Sequence, residues 1–199
     1  MPDDPILVPG ARDVRGDRDG PADTDRIVVA CPPHPQFGGN RHDRRLRAVA
    51  DALAATGIAT LRIDYGDWDA GYGEREDARN ACRWAADRYD RIALFGYSFG
   101  GAIALLAAAS VEVPAAGVAT LAPASRLADD LDAAAAVAGI DAPLCVCYGV
   151  RDETADWEPV VDAAREHGAT AISLSADHHF VGRNDAVAAP VATFLDDAL

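Results

Sequence analysis

The sequence predicts an α/β fold: a doubly wound, mostly parallel sheet with helices on both faces. Three observations predict it. Short apolar runs alternate with amphipathic stretches of about ten to fifteen residues, the pattern of βαβ units. Runs such as 26–31 (RIVVAC) are continuously apolar after their first residue, as strands buried on both faces are. Finally, Gly96-Tyr97-Ser98-Phe99-Gly100 leads from one such run straight into the Ala-rich segment 102–108. Strand, G-x-S-x-G, helix is the order a nucleophile elbow requires. Right-handed crossovers wind such a sheet in both directions, and its ligand crevice lies beyond the carboxyl ends of the strands.

The elements follow in order. The first 25 residues are polar and broken by Gly and Pro, with 6–8 and 12–14 as short edge strands. A buried strand covers 26–31. A helix over 44–56 carries Leu46, Val49, Ala50 and Leu53 on one face and stops at Gly57. An alternating strand covers 58–65, and a Gly/Asp-rich loop, 66–73, leads to a helix over 74–88 with an acidic first turn. After the elbow come strands at 115–121, 143–148 and 169–174, with helices near 126–138, 156–167 and 184–198. Residues 1–199 read as a single domain, without repeats or a low-complexity linker.

Composition bounds the function. The chain has 199 residues, 50% of them hydrophobic, and 32 Asp and Glu against 18 basic residues, a net charge of −14. Every basic residue is Arg, and Asp greatly outnumbers Glu. This charge disfavours nucleic acid and anionic membranes as partners. The acidic residues are spread from Asp3 to Asp197 rather than clustered, as adaptation to a high-salt cytosol would spread them. In molar salt the Debye length is about 3 Å, so self-repulsion costs little there. No run reaches the roughly 20 apolar residues of a membrane span, and the start, Met1-Pro2-Asp3-Asp4-Pro5, lacks the pattern of a signal peptide. A cytoplasmic location follows. Cys31, Cys82, Cys145 and Cys147 form no C-x-x-C pair and read as small buried hydrophobes, so no metal site is expected.

The strand-end loops carry the chemistry. By itself the G-x-S-x-G segment also fits a tight turn with a capping serine. Two further loops decide between the readings: 149–154 (GVRDET) after one strand and 175–180 (SADHHF) after the next. Ser98, Asp152 and His178 then follow in the chain order of α/β-hydrolases. Serine attacks a carbonyl only when an imidazole takes its proton, and a carboxylate fixes the imidazole tautomer. Asp156 is an alternative acid, although capping of the next helix explains it as well. Asp177 reads as a turn residue, His167 as a helix C-terminal cap and His42 as solvated. His178 and His179 both remain candidates for the base. The N–H of Phe99, at a helix N-terminus, is placed to stabilise an oxyanion.

Five segments together resemble a known family: 31–39 (CPPHPQFGG), 61–65 (LRIDY), 73–78 (GEREDA), 96–100 (GYSFG) and 178–183 (HHFVGR). The chain resembles small α/β-hydrolases related to dienelactone hydrolases and carrying a serine nucleophile. The resemblance implies an α/β-hydrolase fold with no large lid domain and a Ser-Asp-His triad. It places the base at His178, with His179 standing where an aromatic residue is usual. It places the second oxyanion donor in the loop after the first buried strand, at the main chain of Gln36 or Phe37. His34 reads there as loop-orienting or as a substrate contact, and Pro32 replaces a histidine frequent in the family. Dienelactone hydrolases proper have cysteine at the elbow, so their thiolate mechanism does not transfer to Ser98. The expected activity is hydrolysis of a small carboxylic ester or thioester through an acyl-enzyme, without a cofactor. A peptidase or acyltransferase on the same triad, or a binding protein that kept the fold, are the alternatives. Trp68 either lines the substrate pocket or covers the core.

Overall fold

The computed structural model describes residues 5–199; Met1 to Asp4, part of the N-terminal reading above, lie outside them. Eight strands form one sheet: β1 (Ile6–Val8), β2 (Val14–Asp19), β3 (Arg26–Cys31), β4 (Ala59–Asp64), β5 (Arg91–Tyr97), β6 (Gly117–Leu121), β9 (Leu144–Gly149) and β10 (Thr170–Leu174). Their order is β1-β2-β4-β3-β5-β6-β9-β10. From β4 to β10 every pairing is parallel, and β1 and β2 add antiparallel at one edge. The strand order reverses at β3, as in a doubly wound sheet.

Helices cover both faces because each parallel strand alternates its apolar side chains between them. On β5, Ile92 and Leu94 join one core, with Cys82, Trp84, Ile103, Leu105 and Val161 from the helices α2 (Tyr72–Ala86), α3 (Phe99–Ala108) and α5 (Glu158–Glu166). Ala93, Phe95 and Tyr97 join the other, with Leu46, Val49, Val187 and Leu195 from α1 (Arg44–Ala55) and α6 (Asn184–Ala198). Each fully buried Leu, Ile or Phe contributes about 1.5–3 kcal/mol, so two filled cores hold the strand ends rigidly.

Two sequence expectations are corrected. The stretch 126–138 is not one helix. It is a hairpin of β7 (Arg126–Ala128) and β8 (Leu131–Asp132), followed by the four-residue α4 (Ala133–Ala136). Asp129-Asp130 make the turn, and the Asp132 carboxylate caps α4 by accepting from the Ala135 N–H at 2.9 Å. The edge strand expected at 12–14 instead starts at Val14 and runs to Asp19. Its outer residues are polar, and it is held by pairing with β4 and by ion pairs from Arg62 to Asp19 and Asp17. Among the described residues no lid domain stands between β6 and β9, only this hairpin and short helical turns.

Candidate active site

β5 ends at Tyr97 and α3 begins at Phe99, so Ser98 makes the whole turn between them. Its backbone has φ 57° and ψ −121°, a strained conformation costing of the order of 1–3 kcal/mol. The surroundings enforce it. A Cβ on Gly96 would lie 2.0 Å from the Gly100 carbonyl oxygen, and one on Gly100 would lie 2.2 Å from that of Cys31. Only glycines allow strand, turn and helix to pass this closely. The Ser98 N–H donates to the Leu121 carbonyl at 2.8 Å, anchoring the turn to β6. Phe99 opens α3, where N–H groups lack intrahelical partners, and lines the same cavity as Ser98.

Asp152 lies in the loop after β9 with its side chain fully buried. Its Oδ1 accepts from the N–H groups of Thr154 (2.8 Å) and Ala155 (3.0 Å), and its Oδ2 lies 2.7 Å from His178 Nδ1. The other ring nitrogen, Nε2, is 3.0 Å from Ser98 Oγ. A carboxylate only accepts, so Nδ1 carries the proton and Nε2 is the acceptor facing the serine. The Trp157 indole N–H donates to the Asp152 carbonyl at 3.3 Å, and the Tyr97 hydroxyl donates to the His178 carbonyl at 2.9 Å. Burial pushes the Tyr97 phenol up to about 12, so it remains a donor.

The neighbouring candidates are placed elsewhere. Asp156 is exposed and accepts from the Ser125 hydroxyl at 2.8 Å. His179 is exposed, its ring 5.4 Å from that of His178. Asp177 accepts from the N–H groups of His179 and Phe180, making the turn read from sequence. His167 ends α5 against the Ala163 carbonyl, and His42 is exposed.

The loop after β3 departs from expectation. His34 caps a 3-10 turn, Pro35–Phe37, with Nδ1 accepting from the Gln36 N–H at 3.3 Å. Its carbonyl accepts from the N–H of Phe37 at 3.1 Å and of Gly39 at 3.0 Å. The N–H groups expected to meet an oxyanion, those of Gln36 and Phe37, are thus taken up by His34. The His34 N–H itself makes no hydrogen bond among the described residues. Both loop orientation and substrate contact fit this histidine, because its ring also faces the cavity, 4.9 Å from Phe99 and 4.5 Å from Trp68. Burial lowers its pKa below the ordinary imidazole value.

A cavity of about 710 Å³ opens over Ser98. His34, Phe37, Trp68 and Phe99 form one wall, Tyr97, Arg45 and His179 another, and Ala124, Arg126 and Leu127 a third. Trp68 therefore lines the pocket, with 38% of its surface exposed. Sequence reasoning missed Arg45, which pairs with Asp43, donates to the His179 carbonyl at 3.1 Å and stacks 4.5 Å over the Tyr97 ring. It missed Tyr97 as well; both act through tertiary contacts that no local pattern announces. Among the described residues no group of His, Cys, Asp and Glu is arranged to hold a metal ion.

The phospholipase/carboxylesterase family matches residues 86–180, which include Ser98, Asp152 and His178. Among solved structures, the chain is similar to an α/β serine hydrolase homologue from Coxiella burnetii, at 24% identity and a TM-score of 0.80, covering 100% of this chain and 98% of that one. The chain has the α/β-hydrolase fold. The chain is also similar to a serine hydrolase without a lid from Xanthomonas campestris: 23% identity, TM-score 0.82, covering 98% of this chain and 94% of that one. A dienelactone hydrolase from Anabaena variabilis is similar at 22% identity and a TM-score of 0.76, over 97% of this chain and 94% of that one. No curated protein matches the sequence significantly. No helix among the described residues is long and apolar enough to cross a membrane.

Proposed function

We propose that the protein is a serine esterase that cleaves small carboxylic esters through an acyl-enzyme on Ser98, with residues 1–199 acting as one unit. The observation that carries this reading is the continuous relay from Ser98 Oγ to His178 Nε2 at 3.0 Å and from His178 Nδ1 to Asp152 at 2.7 Å. Ser98 Oγ attacks the ester carbonyl while His178 takes its proton; Asp152 holds the tautomer and stabilises the imidazolium. The main-chain N–H groups of Phe99 and His34 bind the oxyanion, in place of those of Gln36 and Phe37. His178 then protonates the departing alkoxide, and the same residue activates the water that releases the acid. No cofactor enters this route. The open cavity favours small substrates, and the net charge of −14 disfavours polyanionic thioesters.

Rates on p-nitrophenyl acetate test the reading. Ser98→Ala and His178→Ala are expected to lose at least about 10³-fold in kcat, and His179→Ala less than about tenfold. Loss in the His179 variant with activity retained in the His178 variant would overturn the assignment.

A further inference from the structure

The segment Gly73-Glu74-Arg75-Glu76-Asp77-Ala78 has no part in the relay, yet two of its carboxylates are completely buried. Both point at the loop after β4. Glu74 Oε1 accepts from the Asp69 N–H and Oε2 from the Gly71 N–H, each at 2.8 Å. Asp77 Oδ2 accepts from the Gly66 N–H at 2.9 Å, and its Oδ1 takes Arg12 Nε at 2.8 Å. Arg12 in turn donates to the Asp67 carbonyl. Gly73 leaves the space for that guanidinium, since a Cβ there would come within 2.4 Å of it. Glu76, by contrast, faces outward and pairs with Arg79 and Arg83.

The clamped residues 66–71 are otherwise exposed or half-exposed, apart from Gly71. Ala70 sits at φ 52°, a conformation that needs outside support. A loop of this composition would sample many conformations without the two carboxylates. What the clamp fixes is Trp68, whose ring lies 4.5 Å from His34 and 5.6 Å from Phe99 at the edge of the cavity over Ser98.

We propose that Trp68 is the specificity-determining wall for a flat apolar group on the ester, and that Glu74 and Asp77 are the positioning residues that hold it there. A phenyl-sized group offset-stacked on the indole gains contact that an acetyl group is too small to make. This inference rests on the esterase reading. It is therefore tested both with turnover and without it.

In turnover, Trp68→Ala lowers the ratio of kcat/KM for p-nitrophenyl benzoate over p-nitrophenyl acetate about tenfold, through KM. Glu74→Gln, which keeps one of two acceptors, lowers the same ratio by less. Without turnover, phenyl benzoate binding to the Ser98→Ala variant quenches the Trp68 component of fluorescence, defined by difference from the Trp68→Phe counterpart. In Glu74→Gln or Asp77→Asn that component becomes more accessible to acrylamide while the far-UV circular dichroism is retained. A merely structural role would lower both ester rates together and leave the ratio fixed. An unchanged ratio in Trp68→Ala, which alters an exposed side chain and folds, would overturn the wall; unchanged quenching in the folded clamp variants would overturn the clamp. An inactive wild type that still shows the quenching by phenyl benzoate would sink the esterase reading and leave Trp68 only as a binding wall for flat apolar groups.

Discussion

Asp152→Asn isolates the carboxylate's role because the surrounding hydrogen bonds dictate how the amide must sit. Oδ1 accepts from two main-chain N–H groups, those of Thr154 and Ala155. The asparagine carbonyl must stay there; turning the amide over would set its NH₂ against two donors and lose two hydrogen bonds of about 1 kcal/mol each. The NH₂ group therefore occupies the Oδ2 position, 2.7 Å from His178 Nδ1. Facing a donor, Nδ1 becomes an acceptor and the ring proton moves to Nε2, the atom 3.0 Å from Ser98 Oγ. His178 can then no longer accept the serine proton, and the imidazolium loses its counter-charge. The equivalent substitution in a serine protease triad costs about 10⁴ in kcat, which is about 5.5 kcal/mol. We expect a loss of about 10³–10⁴ in kcat on p-nitrophenyl acetate, little change in KM and a melting temperature within a few degrees of wild type, because the side chain stays isosteric and both main-chain donors stay satisfied. A loss of less than tenfold would refute the reasoning.

Three further outcomes are expected. Gly96→Ala forces a Cβ to within 2.0 Å of the Gly100 oxygen, backbone against backbone, so about 2 kcal/mol or more of stability and the labelling of Ser98 are lost together; a thermal melt and activity like wild type would contradict the close passage at the elbow. His34 has its folded pKa below the ordinary 6.5, so the unfolded state binds its proton first as pH falls. Stability attributable to it is complete above about 6.5 and lost below, and the melting temperature of wild type should fall more between pH 7 and pH 5 than that of His34→Gln. With its net charge of −14 spread along the chain, the protein should melt at higher temperature in molar KCl than in dilute buffer; a salt-independent melt would remove the argument for a high-salt habitat.

Much of the site is legible in the sequence because a parallel sheet delivers its strand ends to one crevice. Ser98, Asp152 and His178 each follow an apolar run, and topology alone brings them together. Asp156 and His179 show the limit of that reasoning: four residues or one residue along the loop, chain order cannot separate them from Asp152 and His178. Backbone direction in the turns does. The loop after β3 shows another limit: no sequence pattern announces that the 3-10 turn folds the Gln36 and Phe37 N–H groups back onto His34. The misread 126–138 stretch has an alanine-rich composition that favours helix, but two adjacent aspartates turn the chain first. β2 is mostly polar, and its pairing with β1 and β4 makes it a strand. Tyr97 and Arg45 act through contacts made far along the chain, whereas Glu74 reaches back only to the N–H groups of Asp69 and Gly71.

The central claim is that Ser98 is the activated nucleophile. A fluorophosphonate probe followed by cleavage at arginine and mass spectrometry tests it directly, since Ser98 lies in the arginine-bounded peptide 92–126. The account predicts one covalent adduct on that peptide, located at Ser98 rather than Ser110 or Ser125, lost in Ser98→Ala and strongly slowed in His178→Ala. An unlabelled folded protein, or a label that persists in Ser98→Ala, would contradict it.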